Sequence, residues 1–140
     1  MTDKIIFLDT NILVYANDNA YPEKQKIARN YIREVIITGN GYISTQVLAE
    51  FWVTVTQKLP TCLSQDLARE QISLFSNFHI IPVEYPTILE AIRLQERYQI
   101  SFWDAQIIAS ALQVNATVLL TEDLQHGLSI NSITIQNPFL

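Results

Sequence analysis

Hydrophobic and polar positions along the chain alternate between short apolar runs rich in β-formers and longer stretches with helical spacing. Lys4-Ile-Ile-Phe-Leu8 has the pattern of a buried strand, followed at once by Asp9-Thr-Asn11 and a short helix through Ala16. Pro22, at a favoured first-turn position, opens a helix to about Thr38, and Gly39-Asn-Gly41 is a turn. Tyr42–Ser44 predicts a short strand and Thr45–Gln57 a helix that buries Val47, Leu48, Phe51, Trp52 and Val55. Leu59-Pro-Thr breaks the chain, and Ser64 caps a helix to about Phe78. His79–Val83 is a strand, Pro86–Tyr98 and Phe102–Val114 are helices, and Thr117–Leu120 and Ile133–Ile135 are strands. Such alternation predicts an α/β fold, a parallel sheet with helices on both faces. Ligands of such sheets bind beyond the carboxyl ends of the strands, which directs attention to the residues that end them.

The length, 140 residues, gives room for a single domain, taken as 1–140, with a genuine core. Hydrophobic residues make up 49% and charged ones 16%, which excludes a disordered chain and fits either a large core or an apolar interface. The lone Cys62 excludes an internal disulfide and suits a reducing compartment. The apolar run Ile5–Leu8 is too short for a signal peptide, and no stretch nears the ~20 residues of a membrane span, so a cytoplasmic protein without a membrane role is expected. The net charge of −5 runs against the usual basicity of nucleic-acid binders. It averages over the whole surface, however, and a carboxylate site adds negative charge that bound cations offset.

Asp9 ends the first strand, where it suits a helix N-cap and still keeps a second oxygen free. Asp104 stands out on the wheel of Phe102–Val114: Gln106, Ser110 and Gln113 share a narrow polar strip, whereas Asp104 falls between Ile108 and Ala111 in the apolar arc. An inward carboxylate is costly unless paired, hydrogen-bonded or metal-bound. The competing reading is a capping box, Ser101-Phe-Trp-Asp104, for which Asp is one methylene short. Asp123 lies just past Thr117–Leu120, with Glu122 beside it as a competitor, and ordinary loop acids before the Gly127 turn are the bland alternative. Glu50 lies at the edge of its helix's apolar stripe, a place where solvated glutamates are common. Together, two acids ending separate strands and one on an inward helix face suit hard divalent cations such as magnesium or manganese. Such ions lower the pKa of bound water and clamp a phosphate, so no protein nucleophile is required.

Four segments carry a resemblance: Phe-Leu-Asp-Thr-Asn-Ile-Leu-Val-Tyr-Ala (7–16), Val-Leu-Ala-Glu-Phe (47–51), Ser-Phe-Trp-Asp-Ala-Gln-Ile-Ile-Ala-Ser-Ala (101–111) and Leu-Leu-Thr-Glu-Asp-Leu-Gln-His-Gly (119–127). In order and spacing they resemble the PIN-domain family, and within it the VapC-type toxins of toxin–antitoxin pairs. The resemblance implies a three-layer α/β/α sandwich around a central, mainly parallel sheet. It also implies a magnesium- or manganese-dependent endoribonuclease that cuts single-stranded RNA. Asp9, Glu50, Asp104 and Asp123 would form the acidic quartet, with Asp9, Asp104 and Asp123 on the metal and Glu50 orienting the attacking water or assisting a second ion. Asn11 and Thr121 match supporting polar positions; either Glu122 or Asp123 fits the fourth role, and motif register favours Asp123. An antitoxin protein partner and a homodimer are implied as well.

Lys26, Arg29 and Arg33 share one helix face and offer a strip for the RNA backbone, although a solvated face is the commoner use of such spacing; Arg93 and Arg97 form a second pair. Trp52, Phe102 and Trp103 are expected in the core, and His79 and His126 have no metal-ligand spacing. A haloacid-dehalogenase phosphatase would need a second Asp where Asn11 stands, and a receiver domain lacks its paired acids and lysine. The alternative of another class is a PIN fold kept as a catalytically silent RNA- or protein-binding module.

Overall fold

A computed structural model describes residues 4–140. Six strands form one sheet in the order β3-β2-β1-β4-β6-β5. In chain order they are β1 (Ile6–Leu8), β2 (Gly41–Ser44), β3 (His79–Ile81), β4 (Val118–Leu120), β5 (Ser129–Ile130) and β6 (Ile133–Gln136). All neighbours run parallel except β5 and β6, an antiparallel pair at one edge. The helices are α1 (Thr10–Tyr15), α2 (Pro22–Thr38), α3 (Thr45–Val53), α4 (Gln65–Leu74), α5 (Tyr85–Tyr98) and α6 (Phe102–Gln113).

Successive strand residues point to opposite faces, so the burial of consecutive residues shows that both faces are covered. Phe7 and Leu8 in β1, Ile43 and Ser44 in β2, and Leu119 and Leu120 in β4 are all buried. Helices therefore flank the sheet on both sides, as the alternating pattern predicts. Contacts link α1 with α2 and α3, and α3 with α4, whereas α5 packs along α6. Parallel connections place the carboxyl ends of β1 and β4, which are hydrogen-bonded neighbours, side by side. This adjacency brings together acids that are 114 positions apart in the chain.

Several elements differ from the sequence expectation for identifiable reasons. The helix expected over Thr45–Gln57 is α-helical only to Val53 and then widens into a π-helical turn, Thr54–Lys58. Strand β3 stops at Ile81 and lies at the sheet edge, so Ile80 is partly exposed rather than core. β5 was not expected, because two residues are too few to register as a periodic run. Two of the three residues in the polar strip of α6 prove to be internal: Gln106 and Ser110 are buried and Gln106 donates to Gln46 Oε1 of α3 (2.9 Å), whereas Gln113 is exposed and accepts from Thr87 of α5 (3.0 Å). α6 is covered on more than one side, so a one-sided wheel misassigns its faces. Trp52 and Phe102 pack against the core, but Trp103 is 60% exposed.

Gly41 is required by close approach. A Cβ there would lie 2.8 Å from Val35 Cγ2 and 2.9 Å from Phe78 Cδ1, both buried atoms without room to move. Gly41→Ala is expected to destabilise the fold by about 1–3 kcal/mol through overpacking, read as a lower midpoint in urea denaturation.

Candidate metal centre

Asp9 caps α1 in extended backbone geometry, and its Oδ1 accepts from the Thr10 amide at 2.7 Å. Its other oxygen accepts from the Thr121 hydroxyl at 2.8 Å and, more weakly, from Asn11 Nδ2 at 3.4 Å. The cap and the candidate ligand are thus one residue in both roles. Thr121 is fully buried just after β4 and also accepts the Asp123 amide at 3.0 Å. Asn11 spans the gap between the two strand ends: Nδ2 donates to Asp123 Oδ2 (3.0 Å), while Oδ1 accepts from the Glu122 amide (3.2 Å). The two supporting residues read from the sequence therefore tie Asp9 to Asp123.

Asp104 enters from the first turn of α6, where Ser101 Oγ accepts its amide at 3.1 Å. This is one half of the expected capping box. One carboxylate oxygen from each of Asp9, Asp104 and Asp123 lies within 4.8 Å of the others. Glu122 turns away: it accepts from Tyr15 (2.6 Å) and forms an ion pair with Lys24. Glu50 stands beside the trio, held by Thr10 Oγ1 (2.7 Å) and by Gln46 Nε2 (3.3 Å). Gln46 in turn accepts from Gln106, so Glu50 is oriented by a buried chain that reaches α6.

The electrostatics follow from this packing. Burial pushes the Asp9 carboxyl up from 3.8 to about 7, reinforced by the charges of Asp123 and Asp104 and opposed by the bonds from Thr121 and Thr10. Asp104 is also raised, first by partial burial and then by Asp123 and Glu50, against a hydrogen bond with Ser101. Among the described residues no cation pairs with these three aspartates. Hard oxygen donors that repel one another and lack an internal counter-charge suit a divalent cation such as magnesium or manganese.

Of the trio, Asp123 lines a recess of about 530 Å³, together with Asn11, Tyr15, Glu50 and Lys58 among others. The basic strip expected to hold RNA lies elsewhere. Arg29 and Arg33 line a separate apolar recess with Ile32, Ile36, Leu74 and Phe75, Arg29 donates to the Ala16 carbonyl (2.8 Å), and Lys26 lines neither recess. Arg93 pairs with Glu90 at 3.0 Å. Sequence reasoning missed Thr10 and Gln46, which hold Glu50, and Lys58, which lines the acidic recess. Thr10 was findable from its place beside Asp9. Lys58 was not, because it depends on the π-helical turn.

The chain belongs to the PIN domain family, whose model matches residues 6–127. No protein of curated function matches its sequence. Its fold is similar to a toxin–antitoxin complex from Klebsiella pneumoniae, with a TM-score of 0.71 at 19% identity over 95% of this chain and 97% of that one. It is also similar to VapBC2 from Rickettsia felis, bound to a DNA fragment from its promoter: TM-score 0.69, 23% identity, 95% and 98% covered. A third neighbour is VapC20 from Mycobacterium tuberculosis, a toxin that cleaves the sarcin–ricin loop: TM-score 0.62, 18% identity, 81% and 86% covered.

The raised Asp9 carboxyl sets a pH dependence. Between 3.8 and about 7 the folded chain keeps a proton that the unfolded chain has lost. This group's contribution is therefore fully present at low pH and falls as pH rises to about 7. In chelator, melting temperature is expected to drop between pH 5.5 and 8 by more than it does in Asp9→Asn, whereas manganese should restore more stability at pH 8 than at 5.5. Differential scanning fluorimetry checks both.

Proposed function

We propose that this protein is a magnesium- or manganese-dependent endoribonuclease that cleaves single-stranded RNA with a water nucleophile. The observation that carries this reading is the convergence of Asp9, Asp104 and Asp123 within 4.8 Å, with Asp123 and the neighbouring Glu50 lining a recess. These three aspartates hold the ion. A divalent cation bound there lowers the pKa of a coordinated water and offsets charge on the reacting phosphate.

The rest is supplied by the chain. Asn11 and Thr121 lock Asp9 and Asp123 in register, so the carboxylates do not relax apart when the ion leaves. Glu50, fixed by Thr10 and Gln46, presents a carboxylate at the cleft to orient the attacking water and accept its proton. The acidity of the recess accounts for much of what the net charge of −5 seemed to count against.

Toxin function within a toxin–antitoxin pair, with an antitoxin protein as partner and action in the cytoplasm, is part of the proposal. Its support is the family, the neighbours' assemblies and the lack, among the described residues, of a helix able to cross a membrane. A homodimer is supported by Tyr85, Ile88, Leu89 and Ile92, exposed at i, i+3, i+4, i+7 spacing along α5. Leu89→Glu with Ile92→Glu is expected to convert a dimer to a monomer in light scattering without unfolding it.

Cleavage of a mixed-sequence single-stranded RNA tests the activity. Cuts are expected with magnesium or manganese, none with chelator, and a loss of at least ~100-fold in Asp104→Asn. Because Asp104→Asn also removes one of the mutually repelling carboxylates, its melting temperature in chelator should match or exceed that of the parent. Metal-independent cleavage, or cleavage that survives Asp104→Asn, contradicts the proposal, and RNA binding without any cleavage favours the silent-module reading.

A further inference from the structure

A second recess of about 650 Å³ lies against the acidic one, and the two share Ala49, Glu50 and Lys58. Its wall includes Trp103, Gln46 and Gln106. Trp103 precedes Asp104 in the first turn of α6 and is 60% exposed. Its ring is held edge-on by Phe102, with centroids 5.3 Å apart at 81°, and its carbonyl accepts from Gln46 Nε2 at 3.1 Å. The same glutamine holds Glu50, so the backbone that carries the indole is tied to the side chain that orients Glu50.

Lys58 is, among the described residues, the one cation lining either recess, and it forms none of the ion pairs there. At ~100° per residue Lys58 would lie about 80° round the helix from Glu50. The i→i+5 bonding of Thr54–Lys58 turns less per residue and carries Lys58 back towards the Glu50 side. A π-helical turn is an uncommon and weakly favoured geometry, and it falls where it brings a positive charge to the cleft.

We propose that Trp103 and Lys58 form a nucleotide subsite beside the metal centre, in which the indole stacks on an unpaired base and the ammonium pairs with a neighbouring phosphate. This rests on the ribonuclease reading and specifies how that site takes its strand. An RNA occupant is favoured over a protein one by the surroundings of the ring. Around it Ala49 and Val83 give an apolar floor, while Gln46, Gln106 and the cation Lys58 line the same recess, which continues into the acidic one through Ala49, Glu50 and Lys58; a base stacked on the ring thus finds a positive charge for its phosphate beside the aspartates. Stacking on aromatic faces and cationic tracking of the backbone are the two features by which single strands are held without base-specific reading. The subsite accordingly provides affinity and positions the scissile phosphate; it does not by itself select a sequence.

The test uses the full chain carrying Trp52→Phe, which leaves Trp103 as its single indole. A fluorescein-labelled single-stranded oligoribonucleotide is titrated with calcium in place of magnesium to keep the strand intact, following anisotropy and indole fluorescence together. Binding with quenching of Trp103 is expected. Trp103→Ala should weaken binding by roughly tenfold and raise KM more than it lowers kcat, while Trp103→Tyr retains most of the affinity. Lys58→Ala should weaken binding and reduce the slope of log K against log salt by about 0.7. Binding without quenching, with unchanged affinity in Trp103→Ala, overturns the subsite while leaving the nuclease intact. Unchanged RNA affinity together with a broken homodimer overturns it too, and assigns Trp103 to a protein contact. Neither binding nor metal-dependent cleavage by the parent chain overturns the subsite and the ribonuclease reading alike.

Discussion

Carboxylates buried near one another repel, and each loses hydration that only hydrogen bonds or a cation can replace. In this protein that conflict sits at the ends of β1 and β4, adjacent parallel strands whose register sets Leu8 against Leu120. Asp9 follows one strand and Thr121-Glu122-Asp123 the other, so the fold itself forces the proximity. The bonds from Thr10, Thr121 and Asn11 lower the cost without removing it, and the Asp9 carboxyl remains raised to about 7. Asp104 adds to the unpaired charge from α6. A fold that holds these carboxylates together without a counter-charge gives up stability at that place, which is the usual balance at a functional site.

The polar chain running through Gln106, Gln46, Glu50 and Thr10 is the second consequence of that geometry. It crosses from α6 through α3 to α1, and it fixes Glu50 beside the aspartate trio. The Trp103 carbonyl joins it, so Glu50 and the backbone that carries the exposed indole share a support. An error at Gln46 would therefore disturb Glu50 and Trp103 at once, whereas Asp9 and Asp123 are held by a separate set of bonds around Thr121.

Much of this arrangement was legible in the chain. Alternation of β-rich runs and amphipathic stretches indicated a doubly covered parallel sheet, because that pattern follows directly from which side chains must be buried. Asp104 could be singled out because an apolar helix arc is an unusual place for a carboxylate, whereas Asp9 and Asp123 gained weight only in combination, as acids ending separate strands within recognisable motifs. Glu122 and Asp123 could not be separated by position alone; the contact of Glu122 with Lys24 and Tyr15 depends on how α1 and α2 pack. The seam of α6 was hidden because a wheel assumes one buried face, and α6 buries Gln106 and Ser110 as well as its apolar residues. Lys58 was hidden because a wheel also assumes constant periodicity, which the π-helical turn breaks. The face Lys26–Arg29–Arg33 is solvent-exposed as its spacing implies, but it lies outside the recess that Asp123 and Glu50 line, because spacing carries no information on what a face looks towards.

Isothermal titration of manganese into the metal-free protein at pH 7, repeated in two buffers of different ionisation enthalpy, tests the central claim most directly. Asp9 is partly protonated at that pH, so binding at the aspartate trio should release a measurable fraction of a proton, and Asp104→Asn should weaken binding at least tenfold. Absence of binding, or binding without proton release that is equally tight in Asp104→Asn, would contradict the assignment of these three carboxylates as the metal centre.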